Sequence, residues 1–121
     1  MSLLRVERIA GQTEEGSVVP DLVCSEKLEN MSEAQASALF RVHHSQGNII
    51  IRFEWSVRYV VRDMDESDLI LVPETETLFF RTMNQWGAID LRTANLVRHE
   101  NAMYRPEIYR HVGAIVIEDE L

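Results

Sequence analysis

The stretch from Ile49 to Val61 reads IIIRFEWSVRYVV, and its alternation decides the fold class. Every odd-numbered position is apolar, whereas most even-numbered positions are polar: Arg52, Glu54, Ser56 and Arg58. Successive side chains of a strand point to opposite faces, so the pattern predicts one long strand with a buried and a solvated face. Such strands belong to antiparallel sheets, because a parallel sheet covered on both sides would not tolerate Arg and Glu in this register.

The segment before this strand fits two periods, so residues 26–43 are compatible with helix or with strand. Leu28 and Met31 stand at helical spacing, and Ser32 with Gln35 forms a capping-box pattern, which predicts a short helix over about residues 26–38. Residues 38–43 alternate instead, and turn-forming residues follow at 45–48. We therefore expect a short helix and then a strand.

The rest of the chain alternates short apolar runs with turns. The runs lie at residues 3–9, 18–23, 69–72, 77–83, 88–91, 96–99 and 112–117, and Pro20 makes the second of them an edge strand. Strands spaced by roughly 8 to 12 residues are typical of a sandwich or barrel.

This rhythm predicts a single domain over residues 1–121 with a mainly β fold. We expect an antiparallel meander that forms a small sandwich or partly open barrel, with at most one short helix. The alternative is an α+β fold in which one helix packs on a curved antiparallel sheet.

One segment resembles a known repeat. Residues 87–97 read GAIDLRTANLV and, with the preceding Leu78-Phe79-Phe80, resemble the inner strands of β-propeller blades, where an apolar strand ends in Asp-Leu-x-Thr-Gly and restarts. Ala94 stands where that pattern has glycine, no second copy occurs at a blade-length period, and four or more blades cannot fit into this chain. The resemblance implies a hairpin at this place, not a propeller.

The composition is that of an ordinary globular domain. With 45% hydrophobic and 26% charged residues, the 121-residue chain is far from the disordered regime and needs no cofactor or metal to fold. Lys and Arg number 12 against 20 Asp and Glu, a formal charge of −8 that opposes nucleic-acid phosphates and anionic membranes. We expect no nucleic-acid or membrane partner.

The sequence lacks a second cysteine and a secretory signal, and both features bear on the cellular compartment of the protein. Cys24 is the single cysteine, so no intrachain disulfide forms, which favours a reducing compartment. The first residues lack the basic and apolar regions of a secretory signal. We expect a cytoplasmic protein.

Asp63, Asp65 and Asp68 are weak candidates for a cation site, because closely spaced carboxylates supply the oxygen ligands that Ca²⁺ binds. The glycine of a calcium loop is absent, and Glu74 falls outside the register of the bidentate ligand. We expect a solvated hairpin turn and no metal.

No catalytic motif is recognisable. The chain has no Gly-x-Ser-x-Gly elbow, its five glycines are scattered, and Cys24 is expected to be a small buried hydrophobe. The enzymatic alternative is a small hydrolase or isomerase with a pocket inside a curved sheet. Its acid and base would come from His43, His44, His99 or His111 with a carboxylate such as Asp90 or Glu54.

Three aromatic residues are the candidates for contact with a ligand or partner. Trp86 stands beside Gly87, and Tyr104 and Tyr109 flank Arg105-Pro106 in an irregular stretch. Aromatic residues on loops or turns of a rigid sheet are common in recognition.

The favoured function is a non-enzymatic binding or assembly module whose partner is itself or another protein. The reasons are the missing catalytic set and a strand longer than the usual five or six residues, which needs an edge partner or an interface. We expect a homo-oligomer.

Overall fold

A computed structural model describes residues 4–13, 16–25, 35–56, 63–83, 85–101, 106–111 and 114–118. This part of the chain contains strands, a 3₁₀ turn at Glu66–Asp68 and no α-helix. The strands are β1 Arg5–Ile9, β2 Gln12–Thr13, β3 Gly16–Ser17, β4 Leu22–Ser25, β5 Gln35–His44, β6 Gly47–Ser56, β7 Leu69–Val72, β8 Thr77–Arg81, β9 Gln85–Asp90, β10 Asn95–Asn101, β11 Glu107–His111 and β12 Ala114–Glu118. The prediction of a mainly β fold is confirmed.

The first four-stranded sheet has the order β1-β5-β6-β4. The hairpin of β5 and β6 is its centre, and β1 adds antiparallel to β5. The edge strand β4 pairs parallel to β6 with Cys24 opposite Phe53, an exception to the antiparallel pairing. The polar alternate residues of β6 face away from the core, because successive side chains of a strand point to opposite faces of the sheet.

The second sheet is a meander in which β7, β8, β9 and β10 pair antiparallel in sequence order. Asp90 pairs with Asn95 across the turn between β9 and β10, which is the hairpin that the propeller resemblance implied. Ala94 adopts a φ of +56° in this turn, a left-handed conformation that glycine takes more easily. Glu76, in the preceding turn, has a φ of +51°.

The core lies between the apolar faces of these two sheets, as in a small sandwich. Phe53 of the first sheet and Phe80 of the second have ring centroids 4.8 Å apart, and Phe40 packs edge-on against Phe53 at 5.9 Å. Such tilted and edge-on contacts are the favoured arrangements of aromatic pairs. The alternating apolar side chains of β6 thus supply the buried layer that the sequence pattern predicted.

One polar side chain crosses this apolar interior. Gln85 is fully buried; its Nε2 donates to the carbonyl oxygen of Glu54 at 2.8 Å, and its Oε1 accepts from Nε2 of His99 at 2.6 Å. A buried amide without such partners would be costly. Gln85 therefore joins the two sheets by hydrogen bonds as well as by packing.

Two sequence predictions need correction. Residues 35–38 belong to β5, so the helix predicted over about 26–38 is wrong there, and residues 26–34 lie outside the described residues. Ala38 pairs with Phe53 and is buried, and this ladder outweighs the local capping pattern. Of the strand predicted at 112–117, residues 114–117 belong to β12 and residues 112–113 lie outside the described residues, while β11 precedes it where no strand was expected. Of the predicted 49–61 strand, residues 49–56 are strand and 57–61 lie outside the described residues.

Candidate functional site

The C-terminal hairpin, formed by β11 and β12, is the candidate site. Tyr109 pairs with Val116 and Ile108 with Ile117, and residues 112–113 separate the paired His111 and Ala114. Ile108 is only 7% exposed, whereas Tyr109 on the opposite face is 39% exposed. The Ile108 face therefore packs inward and the Tyr109 face points to solvent.

Two arginines hold the hairpin against the meander. The guanidinium of Arg110 donates to the carbonyl oxygen of Leu71 on β7, and Nη1 of Arg81 donates to the carbonyl oxygen of Pro106 at 2.9 Å. Pro106 is itself buried. These hydrogen bonds thus attach the hairpin to β7 and β8 of the meander.

Arg81 is fixed by a buried carboxylate. Its Nε donates to Oδ1 of Asp68 at 2.9 Å, and the two side chains are 9% and 2% exposed. The second oxygen of Asp68 accepts from the main-chain N–H of Asp65 at 3.0 Å. Buried ions need this kind of full hydrogen bonding, because losing one partner leaves an uncompensated charge. The pair therefore determines where the hairpin docks.

β12 is apolar over residues 114–117 and ends in the charged Glu118. In the described part of the chain β12 pairs with β11 and with no other strand. In a hairpin with a two-residue connection, the residues that flank the connection form a hydrogen-bonded pair, here His111 and Ala114. Hydrogen-bonded and non-hydrogen-bonded pairs alternate along an antiparallel ladder. The main-chain N–H and C=O groups of Ile115 and Ile117 therefore point away from β11. Proline, lysine and bulges, which usually blunt edges, are absent from residues 114–118.

Three of the four edges of the four-stranded sheets, those of β10, β7 and β4, differ from this edge. β10 carries a bulge between Leu96 and Arg98, and Arg98 pairs with Glu100 at 3.1 Å on its surface. The main-chain oxygen of Leu71 on β7 is occupied by Arg110. β4 is short, with only four residues. Each of these features makes the addition of a further strand less favourable.

Tyr109, one of the predicted contact residues, lies on the solvent face of the hairpin. Its hydroxyl donates to Oε1 of Glu118 at 2.8 Å, and this hydrogen bond to a carboxylate raises the pKa of Tyr109 above its usual value. Tyr109 is thereby fixed beside β12. Its role as a contact residue stays a prediction.

Trp86, the second predicted contact residue, lies on the meander and is partly buried. The guanidinium carbon of Arg98 lies 5.5 Å from the centroid of its ring, a cation–π contact. Trp86 lies on β9 of the meander and Tyr109 on β11 of the hairpin. Tyr104, the third candidate, lies outside the described residues.

The three candidate cation ligands, Asp63, Asp65 and Asp68, each have a structural partner. Asp63 binds Arg8 at 2.6 Å, and this contact lowers the pKa of Asp63. Asp65 caps the 3₁₀ turn by accepting from the N–H of Ser67 at 2.7 Å, and Asp68 binds Arg81. Among the described residues, no three His, Cys, Asp or Glu side chains are grouped to hold a metal ion.

The described histidine side chains also form hydrogen bonds. Nε2 of His43 lies 3.0 Å from Oε1 of Glu7, and Nδ1 of His44 accepts from the N–H of Gln46 at 3.4 Å. Nε2 of His99 donates to Oε1 of Gln85. Asp90, a predicted catalytic partner, accepts instead from the N–H of Arg92 at 3.0 Å. No described histidine is paired with Asp90 or Glu54 through its side chain. The side chain of His111 is not among those described.

Burial raises the pKa of the Cys24 thiol to about 12, so this thiol is protonated and unreactive at neutral pH. The expectation that Cys24 is a buried hydrophobe agrees with its place in the core.

No protein-family model, curated protein or solved structure matches the chain. In the ranges that the structure describes, no helix is long and apolar enough to cross a membrane.

The sequence reasoning missed β11 and therefore the hairpin. The pattern that could have revealed it is the Val-Gly dipeptide at 112–113 between Ile108-Tyr109 and Ile115-Val116-Ile117, since a two-residue connection with glycine between apolar runs favours a hairpin.

Proposed function

We propose that this chain is a non-enzymatic assembly module that associates with a second copy of itself through the outer edge of β12. The observation that carries the proposal is the contrast between edges: β12 is apolar and regular, whereas β10 carries a bulge and charges. Unprotected edge strands are templates for pairing with another chain.

The hairpin is well placed to serve as such an edge. An isolated two-stranded hairpin is marginally stable, so the addition of strands stabilises it further. Its attachment through Arg81 and Arg110 keeps β12 ordered before association. An ordered edge loses less conformational entropy when it binds.

The proposal includes a reducing, cytoplasmic setting and excludes nucleic acid as a partner. Supporting features are the single, buried Cys24 and the formal charge of −8. The hydrolase or isomerase alternative is supported by a single described contact of this kind, the pair of His43 with the carboxylate of Glu7 at 3.0 Å. The other described histidine side chains, His44 and His99, bind the main-chain N–H of Gln46 and the amide of Gln85.

Sedimentation velocity across micromolar concentrations tests the proposal. We expect the wild-type chain to sediment as a dimer and Val116→Lys to shift it toward monomer, because two lysines would meet at the interface. Val97→Lys, on the 60% exposed Val97 of β10, is the matched control and is expected to remain dimeric. A monomeric wild-type chain over this range would rule out the proposal.

A further inference from the structure

We infer that β1 is a separately detachable strand of the first sheet, held by one carboxylate contact on each of its faces and released when Glu7 and Asp63 are protonated. This conformational response is independent of the proposed association through β12. It makes the β1 edge of the first sheet sensitive to acid while the rest of the sandwich stays folded.

β1 has weaker apolar contacts than the strand with which it pairs. Its five residues pair antiparallel with residues 39–43 of β5, and none of the five is buried. Of their side chains, Val6 packs partly against the core, whereas Phe40 and Val42 of β5 are fully buried. Segments with few buried apolar contacts open locally at a lower free energy than the core. Polar contacts therefore decide how firmly β1 is held.

On the face of the sheet away from the core, Glu7 bridges β1 to β5. Its Oε1 lies 3.0 Å from Nε2 of His43 and 3.5 Å from Nη1 of Arg41. Arg5, which pairs with His43 in the ladder, also places its positive charge near Glu7. The charge on Glu7 thus offsets the repulsion between Arg5 on β1 and Arg41 on β5.

On the opposite face, Arg8 joins β1 to the segment that precedes the 3₁₀ turn. Nη1 of Arg8 donates to Oδ2 of Asp63 at 2.6 Å and to the carbonyl oxygen of Met64 at 2.9 Å. The negative charge of Asp65 also acts on Asp63 and opposes its ionisation. Because Met64 is buried in the core, Arg8 anchors β1 to a fixed part of the sandwich.

Both carboxylates lose these contacts in acid. The hydrogen bond with His43 lowers the pKa of Glu7 from its usual 4.5, and the hydrogen bond from Arg8 lowers the pKa of Asp63 from its usual 3.8. The stabilisation is therefore complete above these usual values and is lost as the pH falls through the lowered folded-state values. Protonated Glu7 leaves Arg5 and Arg41 without their shared counter-charge, so β1 is repelled from β5.

Hydrogen exchange measured residue by residue by NMR tests the inference. At about pH 7, the double variant Glu7→Gln, Asp63→Asn should lower the protection of the β1 amides about 3- to 20-fold, because it removes the charge of two exposed contacts. The amides of β6 should keep their protection. In the wild-type chain, about 1 M NaCl should act on β1 in the same direction, since it screens both contacts.

Glu100→Gln is the matched control. Glu100 also forms an exposed ion pair on an edge strand, with Arg98 of the same strand at 3.1 Å. Its substitution removes one carboxylate charge without touching β1 or β5. We expect the protection of the β1 amides to remain as in the wild-type chain, and an equal loss in this variant would show a general charge effect and overturn the inference.

An acid titration separates the release of β1 from global unfolding. As the pH falls from about 7 to about 3, the β1 amides of the wild-type chain should lose protection at a higher pH than those of β6. In the double variant, the protection of β1 should change much less with pH. The inference is wrong if β1 and β6 lose protection together at every pH, or if the double variant protects β1 as well as the wild-type chain does.

Discussion

The strands β10 and β12 are the last strands of their sheets in the described chain, yet their surfaces differ. β10 has a bulge and the ion pair of Arg98 with Glu100, and Arg98 also covers Trp86. β12 has an unbroken ladder and aliphatic side chains at 115–117. An edge open to a further strand therefore differs from other edges in lacking the bulges and ion pairs that protect them.

The two strands also differ in how they are attached. β10 is part of a four-stranded sheet, whereas the hairpin of β12 depends on the buried pair of Arg81 and Asp68 for its place. Changes at one strand should therefore leave the other largely intact, and the following predictions test this independence.

Arg81→Ala should have the largest effect. It removes the guanidinium that binds the buried Asp68 and donates to Pro106, so the free energy of unfolding should fall by about 3–5 kcal/mol in urea titrations. The folded fraction should also lose its dimer. Arg8→Ala, which breaks the exposed pair with Asp63, is the control and should cost about 1 kcal/mol or less. Equal losses for the two variants would argue against the anchoring role of Arg81.

Gly87→Ala should disturb β10 and the neighbouring core at Phe80, but not the hairpin of β12. A Cβ atom on Gly87 would lie 2.5 Å from the main-chain oxygen of Arg98 and 2.7 Å from the ring of Phe80, so β10 must move. Overpacking of this kind costs about 1–3 kcal/mol. The dimer should persist in the folded fraction, as measured by sedimentation. Loss of the dimer would show that the two strands are coupled.

Ala94→Gly should stabilise the turn that leads into β10. The Cβ atom of Ala94 strains its left-handed conformation, and glycine removes this strain. Glycine also loses more conformational entropy on folding. We expect the free energy of unfolding to rise by about 0.5–1 kcal/mol in urea titrations. Glu76→Gly is the matched control, because its carboxylate accepts from the N–H of Ser45 and pairs with Arg92. For Glu76→Gly we expect a smaller gain, or a loss, in the free energy of unfolding. Neither variant should change the proposed dimer.

The smallest effect concerns pH at β12. The folded-state pKa of Tyr109 is raised above 10.0 by Glu118, so the contact is intact below pH 10 and is lost as the pH rises through the raised value. Ionised Tyr109 beside Glu118 adds negative charge near the edge, so the dimer should weaken modestly above pH 10. Tyr109→Phe should show no such step in sedimentation, and a step that survives in this variant would point to another group.

Much of the fold followed from local patterns. The period of two in β6 correctly indicated a half-buried central strand. The edge strand expected at 18–23 corresponds to β4, which begins at Leu22, and Pro20 lies before it and outside any strand. The helix assigned to 35–38 was wrong, because the pattern of Ser32 and Gln35 is local whereas the ladder of β5 depends on residues 53–56.

The candidate site was harder to predict, because an edge is defined by the strand order. Sequence reasoning chose Tyr109 for its loop-like surroundings, yet its position beside β12 depends on a hairpin that was not expected. Likewise, Asp68 looked like a solvated turn residue, and its burial depends on Arg81, which lies on another strand. Contacts of this kind are set by tertiary packing and leave no periodic pattern.

Gln85 has a consequence for the alignment of the two sheets. Its amide offers a donor to Glu54 on one sheet and an acceptor to His99 on the other, so sliding the sheets past each other by one residue would break the bond to Glu54 and bury an unsatisfied amide. Apolar layers alone tolerate such sliding, because aliphatic contacts lack direction. The amide therefore selects one alignment among several of similar packing energy, and the acceptor role of its oxygen requires that Nε2 of His99 carry a proton.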